Sequence, residues 1–381
     1  MELLYPEKWI DERLNLGIHF DPDFITYFGH QGTWQVYHHH DVKQVLTDHT
    51  NFSSQYTPKV ENNPLAENLN QLDPPEHGRL RAFMTKTFTP AFVKALEPWI
   101  HLAATRLIRK FDGNETDFVN AFATHLPFNV ISMALGIDNS DYAQVYNWVK
   151  QIATAPSPDE IATYFACQKE ILSFFTEEVK KKKNQKGNLI SEWLLTQINK
   201  EYLSEREVAL FCINLYLGGT GTLSGLLQLA MFTLAEFPEL QNQISQSPNL
   251  IPSFIEELLR FRTPVPTMYR KAKKDLILSG QPIKESDIIT VWLCAANRDE
   301  TVFQSPHSFD INREGASRHL SLGHGIHHCV GNFLLRTEMK IALKVIFQHL
   351  ENIQLVGTPK LNNSLLASSF DKLQLQYTIR G

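Results

Sequence analysis

The chain has 381 residues with a formal net charge of −5, and 43% of its residues are hydrophobic and 20% charged. These values are typical of a globular enzyme with a large core, and the mild acidity argues against nucleic acid as a main partner. We expect a cytoplasmic protein with no membrane span, because no apolar run approaches about 18 residues and the N-terminus lacks the parts of a signal peptide. Four scattered cysteines form neither a disulfide framework nor a zinc pattern. No linker divides the chain, so we expect residues 1–381 to form one domain.

The N-terminal part predicts an irregular start, a short strand pair, a helix and a polar loop. Residues 34–37 alternate weakly, and Asp41 is placed to cap the helix that follows. Three histidines at positions 38–40 suggest a metal site, but side chains alternate along a strand, so all three cannot face one ion. We interpret them as the solvated end of a strand. Residues 53–71 are predicted to form a mobile loop.

The next helix is predicted to carry a pair of cationic hydrogen-bond donors. Pro74 and Pro75 predict its start, and His77 and Arg81 stand four residues apart on one face. Two donors one turn apart suit an anionic ligand such as a carboxylate. An exposed charged helix face is the commoner meaning of such a pair.

Residues 91–200 are predicted to be helical with several breaks. The lysines at positions 180–183 are interpreted as a helix C-terminus, where cations offset the helix dipole. Ser204 and Glu207 then form a capping box at the start of a long apolar helix that ends before Pro238.

The middle of this long helix reads Leu-Gly-Gly-Thr-Gly-Thr at positions 217–222. Glycine inside a helix costs roughly 0.5–1 kcal/mol relative to alanine, so three glycines within four residues require a reason. Close approach of a partner surface, a local widening of the helix and helix–helix packing through small residues are three alternatives.

The following segment combines an ion pair with extended chain. Glu257 and Arg260 stand three residues apart on a helix, where such pairs are usually solvated. Two prolines make residues 263–270 extended, and strands are predicted at 276–278, 281–283, 288–293, 353–355 and 373–377. The turn at residues 362–369 is expected to project toward a pocket.

A glycine-punctuated loop, residues 322–331, holds the thiol of Cys329 just before a predicted helix. Backbone N–H groups and the dipole at a helix N-terminus favour negative charge, so the pKa of this thiol is expected to be lowered. A thiolate in an open glycine loop suits an axial position of a haem iron. A buried, inert thiol is the alternative, since most lone cysteines behave so.

The order Gly325, Cys329, Gly331 and Glu338 resembles the haem-binding loop of the cytochrome P450 family. The His77–Arg81 segment, the 217–222 stretch and the Glu257–Arg260 pair resemble three further motifs in the family's order. The resemblance extends from about Phe52 to the C-terminus. Leu322 replaces the aromatic residue usual at the start of the loop, which implies a slightly different donor strength for the sulfur.

The resemblance implies a mainly α-helical prism with a small β portion around a buried haem b, with Cys329 as the axial iron ligand. It implies structural roles for Glu257 and Arg260, with Arg313 as a third member, and a variable lid at residues 152–172. The expected propionate ligands are His77, Arg81, Arg270 and His327. The expected substrate-pocket residues are Leu217, Gly218, Val265 and Thr267.

The activity implied by the resemblance is the insertion of one oxygen atom from O₂ into a small apolar molecule. A ferredoxin or flavodoxin would supply the electrons to a monomeric enzyme, and Thr222 would steer protons. The family's acid position is Gly221 here, so protons would come from substrate, water or another side chain. This departure leaves a peroxide-driven peroxygenase and an NADH-dependent nitric-oxide reductase open, and a non-catalytic haem protein is a further alternative.

Overall fold

α-Helices dominate the architecture in the computed structural model, which describes residues 5–57, 68–153, 160–362, 365 and 367–380. In chain order they are α1 Glu7–Leu16, α2 His39–Thr47, α3 Glu76–Thr87, α4 Pro90–Ile108, α5 His125–Leu135, α6 Tyr142–Ala153, α7 Ile161–Lys182, α8 Leu189–Leu195, α9 Glu205–Gly219, α10 Gly221–Glu236, α11 Pro238–Gln246, α12 Ile251–Phe261, α13 Leu293–Ala296 and α14 Asn332–His349. Most of the predicted lid and of the 362–369 turn lies within these ranges, but residues 154–159, 363, 364 and 366 lie outside them.

The strands form one five-stranded sheet and three smaller ones. They are β1 His19–Ile25, β2 Gln31–Val36, β3 Phe52–Ser53, β4 Glu115–Asp117, β5 Thr267–Ala272, β6 Leu276–Leu278, β7 Gln281–Ile283, β8 Ile288–Trp292, β9 Leu350–Leu355, β10 Lys360–Asn362, β11 Ser369–Lys372 and β12 Gln374–Ile379. The large sheet has the order β1-β2-β8-β5-β3, and the small ones are β4-β12-β9, β6-β7 and β10-β11. The strands predicted from residue 276 onward are therefore confirmed to within a few residues.

The large sheet brings the start of the chain against its later part. β2 runs parallel to β8, whereas β5 is antiparallel to both β8 and β3. Arg270 stands opposite Ile289, and Ser53 stands opposite Lys271. The edge strand β3 therefore lies beside the part of β5 that carries Arg270.

The N-terminal prediction is partly wrong. A helix, α1, precedes the strand pair, and His39 and His40 begin α2 instead of ending a strand. His38, not Asp41, is the residue before the helix. The His38 ring lies 3.2 Å from a carboxylate oxygen of Asp299, and the ring of His39 lies 3.0 Å from the carbonyl oxygen of Arg318. These distant partners fix the helix start, and a local pattern cannot reveal them.

The long apolar helix is two helices, α9 and α10, that meet at Thr220. The capping box at Ser204 and Glu207 is present. At the junction the hydroxyls of Thr220 and Thr222 donate to the carbonyl oxygens of Tyr216 and Gly218, at 2.7 and 2.8 Å. Threonine bonds to the carbonyl four residues back bend helices, and glycines weaken them, so the interruption has a local cause.

The α9–α10 pair runs through the core. By length and composition the stretch Glu205–Glu236 could cross a membrane, but more than half of its most apolar window is buried inside the protein. All side chains from Leu223 to Leu234 are buried. This is the pattern of a core helix in a globular protein.

Candidate functional site

Glycines shape the loop that carries Cys329. Gly323 and Gly325 have φ of 69° and 71°, in the left-handed region that favours glycine. A Cβ on Gly325 would lie 2.8 Å from the carbonyl oxygen of Leu46 and 2.9 Å from Cα of Thr47. The loop therefore packs against the end of α2 at a distance that excludes any side chain.

The thiol of Cys329 lies just before α14, as predicted, but the expected direction of its pKa shift is wrong. Burial raises the pKa of the Cys329 thiol, and the backbone N–H of Gly331 and the charges of Arg81 and Arg336 only partly oppose this. The helix N-terminus is too small an effect to offset the loss of water around the sulfur. A bound metal cation ionises a coordinating thiol outright, so this sulfur suits a metal ligand better than a free thiolate.

Three elements bring unpaired polar atoms together beside this loop. Nε2 of His77 on α3, Nε2 of His327 in the loop and Nη2 of Arg270 on β5 are buried and have no hydrogen-bond partner within the described ranges. The rings of His77 and His327 have their centroids 4.1 Å apart. Buried polar groups are normally satisfied, so we read this group, called the donor cradle below, as a binding site for acceptor oxygens.

The two histidines of the donor cradle are neutral. Burial, followed by the nearby positive charge of Arg81, lowers the pKa of His77 to about 4. Burial, then Arg270, lowers the pKa of His327 to about 3. The prediction of a cationic pair at His77 and Arg81 is therefore wrong for His77, because a buried imidazole among arginines loses its proton. The neutral His77 ring can therefore donate a ring N–H to a ligand, but it carries no positive charge.

Arg81 joins α3 to the thiol loop. Its guanidinium donates to the carbonyl oxygen of His328, next to Cys329. Burial lowers the pKa of Arg81, and its proximity to the Cys329 sulfur opposes that shift. Arg81 thus places a positive charge beside both the thiol and the donor cradle. Carboxylate groups fit this donor set of two neutral N–H groups and two guanidinium groups, as the propionates of a haem require.

The glycines of the central helix have different roles. A Cβ on Gly219 would lie 2.7 Å from Cδ1 of Ile131 on α5, so this glycine serves helix packing. A Cβ on Gly218 or Gly221 would meet nothing within 4 Å, and both positions are exposed although the helix is buried further along in both directions. Packing therefore explains Gly219, whereas no neighbouring protein atom requires glycine at the other two positions.

The predicted pocket residues differ in burial. Leu217 and Val265 are partly buried beside apolar clusters. Thr267 is buried, and its hydroxyl donates to the carbonyl oxygen of Leu365 at 2.8 Å. That hydroxyl holds the 362–369 turn against β5, so it is not available to a substrate.

A buried ion-pair network fixes the loops that lead to Cys329. Glu257 and Arg260 are fully buried and bonded at 2.7 and 2.8 Å, and Nε of Arg313 donates to both oxygens of Glu257 at 3.1 and 3.2 Å. Arg260 also donates to three carbonyl oxygens, those of Asn297, Pro306 and Ser308. The pair is thus buried and extensively bonded, unlike a solvated helix pair.

Two acids with roles near the thiol were not identified from the sequence. Glu256, beside Glu257, accepts from Nε of Arg336 at 2.6 Å and so ties α12 to α14. Asp73 binds the hydroxyl of Ser53 at 2.6 Å and the N–H of Ser54 at 2.9 Å. The position of Asp73 before two prolines was a usable signal, because such residues commonly cap or initiate helices.

Comparisons with known proteins agree with this geometry. The family described as Cytochrome P450 matches residues 15–152 and 138–376. The erythromycin C-12 hydroxylase of Saccharopolyspora erythraea is 32% identical over 326 residues, covering 83% of this chain and 81% of that protein. The cyclomarin C epoxidase CymV of Salinispora arenicola is 31% identical over 338 residues, covering 86% and 85% of the two chains. The crystal structure of substrate-free CYP109E1 from Bacillus megaterium has a TM-score of 0.91 at 28% identity and covers 98% of this chain and 99% of that one. The chain therefore belongs to the cytochrome P450 family, with its helical fold, haem b cofactor and monooxygenase activity.

Proposed function

We propose that Cys329 is the axial ligand of the haem iron and that the donor cradle, with Arg81, holds the haem propionates. The observation that carries this assignment is the set of three buried polar atoms without a hydrogen-bond partner in the described residues, beside the loop that holds Cys329. A thiolate-ligated haem activates O₂ and transfers one oxygen atom to an organic substrate. The protein residues position that group and control water and protons around it.

Each cradle residue has a distinct task in this proposal. Arg270, which is 3% exposed, already donates from Nη1 to the carbonyl oxygen of Tyr269 at 2.8 Å, leaving Nη2 for a carboxylate. The neutral rings of His77 and His327 each donate one N–H. Arg81 supplies charge and braces the thiol loop through His328.

Thr222 is proposed to hold a water molecule on the substrate side. Its hydroxyl hydrogen is directed to the carbonyl oxygen of Gly218, so the oxygen is left as an acceptor. Gly221 offers no carboxylate, but the open space at its Cα allows water to stand beside Thr222. We propose that this water relays protons.

The substrate is proposed to be a small apolar molecule bound against Leu217, Gly218 and Val265. None of these side chains carries charge or a hydrogen-bonding group, so contact would be by apolar packing. The names of two relatives, a hydroxylase and an epoxidase, support attack on a C–H or a C=C bond.

Membership in the family implies a substrate, O₂ and a redox partner. We propose that the partner is a separate ferredoxin or flavodoxin, that the protein is a monomer, and that residues 1–381 form one domain. The bacterial relatives indicate a soluble protein, for which we propose the cytoplasm.

The carbon monoxide spectrum of the reduced protein tests the ligand assignment. After reconstitution with haemin, the unsubstituted protein should give the red-shifted Soret band of thiolate ligation, and Cys329→Ala should lose it. Cys294→Ala is the matched control, because Cys294 is a buried free cysteine on another element. Retention of the band by Cys329→Ala would refute the assignment.

A further inference from the structure

We propose that Asp73 is a positioning residue for the haem: its carboxylate fixes the spacing of the donor cradle, and its charge acts on the bound group. The inference rests on the proposed function of the cradle. It concerns a residue whose side chain makes no hydrogen bond to the three atoms of the donor cradle and that acts through the elements that carry them.

The Asp73 carboxylate joins three segments. Oδ2 accepts from the hydroxyl of Ser53 at 2.6 Å, and Oδ1 accepts from the N–H of Ser54 at 2.9 Å. Nζ of Lys273, just beyond β5, lies 3.5 Å from Oδ2. The side chain of Asp73 is 12% exposed and that of Lys273 is 37% exposed. The bonds from Ser53 and Ser54 are therefore better shielded from water, and should be stronger, than the outer contact with Lys273.

These bonds connect the elements that carry the cradle. Ser53 on β3 pairs with Lys271 on β5, adjacent to Arg270. On the other side, the carbonyl oxygen of Asp73 accepts from the N–H of His77 at 3.0 Å. A single residue therefore links the backbone of His77 to the strand pair of Arg270, and its side chain sets the distance between them.

The charge of Asp73 also reaches the cradle. Burial opposes ionisation, but the bonds from Ser53, Ser54 and Lys273 lower the pKa of Asp73, so the carboxylate is ionised at neutral pH. This negative charge opposes the burial-driven lowering of the pKa of both His77 and Arg270. A negative charge at this position should favour the oxidised iron over the reduced iron, because reduction adds negative charge.

Two readouts on a small set of variants test the inference. The first is the rate of haem transfer from the ferric holoprotein to excess apomyoglobin, and the second is the haem midpoint potential. The variants are Asp73→Asn, Ser53→Ala and Lys273→Gln. Asp48→Asn is the matched control, since Asp48 accepts from the N–H groups of Thr50 and Asn51 in its own turn. Lys274→Gln controls for Lys273→Gln, since Lys274 is the next residue and both lysines are exposed.

Positioning and charge predict different responses. Asp73→Asn should release haem about tenfold faster, as expected for loss of charge-assisted hydrogen bonds, and should raise the midpoint potential. Ser53→Ala should speed release and leave the potential unchanged, because no charge is altered. Lys273→Gln should lower the potential, the opposite sign to Asp73→Asn. Loss of fold stability alone would not raise the midpoint potential in Asp73→Asn and lower it in Lys273→Gln.

The inference is overturned if Asp73→Asn releases haem no faster than Asp48→Asn, or if its midpoint potential stays unchanged or falls. Should Asp73→Asn fail to fold, Ser53→Ala and Lys273→Gln decide: release at the rate of the unsubstituted protein together with an unaltered potential overturns it. Failure of the unsubstituted protein to bind haem would overturn the proposed function itself, a result distinct from normal binding with unchanged release.

Discussion

The thiol side of the site is fixed by a buried ion-pair network, whereas the central-helix side has open space. On the thiol side, Arg260 alone donates five hydrogen bonds, to Glu257 and to three carbonyl oxygens. On the central-helix side, Gly218 and Gly221 face open space, and the helix is interrupted at Thr220. The first side is built to hold a ligand in one position, and the second leaves room for substrate and water.

The strongest test of this contrast removes the acid of the buried network. Glu257→Ala leaves Arg260 and Arg313 without their carboxylate in a buried site, which should cost about 3–5 kcal/mol of unfolding free energy. Urea denaturation followed by circular dichroism measures this. Asp275→Asn is the control, because Asp275 pairs with Lys284 at the exposed surface and its loss should change little. Equal effects of the two substitutions would contradict a rigid thiol side.

Alanine substitutions within α10 compare a glycine that packs tightly against a neighbouring segment with one that has open space around its Cα. A Cβ on Gly225 would lie 2.6 Å from the backbone carbonyl oxygen of Ser368, so Gly225→Ala should cost about 1–3 kcal/mol through overpacking. Gly221→Ala should be neutral or stabilise by about 0.5–1 kcal/mol, because space is open and alanine favours helix. Thermal unfolding of the two variants checks the difference, and a larger loss from Gly221→Ala would contradict the assignment of open space.

The link between α12 and α14 should be visible in acid. Burial acts to raise the pKa of Glu256, but the His319 ring 3.4 Å away and the hydrogen bonds and charge of Arg336 lower it to about 2. Since the folded pKa is depressed, the stability from this carboxylate is present above its ordinary value of 4.5 and is lost as pH falls toward 2. Glu256→Gln should therefore be less stable at neutral pH and converge with the unsubstituted protein near pH 2. Urea titrations across this range measure it; a constant difference at all pH values would contradict the linkage.

The smallest expected effect concerns protons on the central-helix side. Gly221→Glu places a carboxylate in the open space beside Thr222, at the acid position of the family. If water relays protons, as we propose, the fraction of donated electrons recovered in product should rise. Product formed per NAD(P)H consumed measures this with a reductase and ferredoxin. Lower or unchanged coupling would mean that the substrate delivers the protons, and turnover with peroxide alone would favour a peroxygenase.

The sequence predicted those parts of the site that depend on the type and spacing of nearby residues. The glycines around Cys329 and the His77–Arg81 helix are local patterns. The family resemblance added the structural role of Glu257 and Arg260, together with Arg270, His327 and Arg313. The capping box at Ser204 and most strands followed from local rules as well. Each of the local patterns depends only on residues within a few positions of one another in the chain.

The errors came from contacts between distant segments. The thiol pKa rises because several elements bury Cys329, and the His77 ring is neutral because α3 packs against the thiol loop. The segment at positions 38–40 starts a helix because the rings of His38 and His39 bind the Asp299 carboxylate and the Arg318 carbonyl oxygen. Asp73 gains its importance only when β3 and β5 lie side by side. None of these effects is encoded in local periodicity.

The most direct test of the central claim is X-ray absorption at the iron edge of the ferric protein, which reports the atoms bonded to the metal. A single sulfur ligand at iron, lost in Cys329→Ala and kept in Cys294→Ala, is the predicted result. An iron coordinated only by nitrogen and oxygen in the unsubstituted protein would contradict the account.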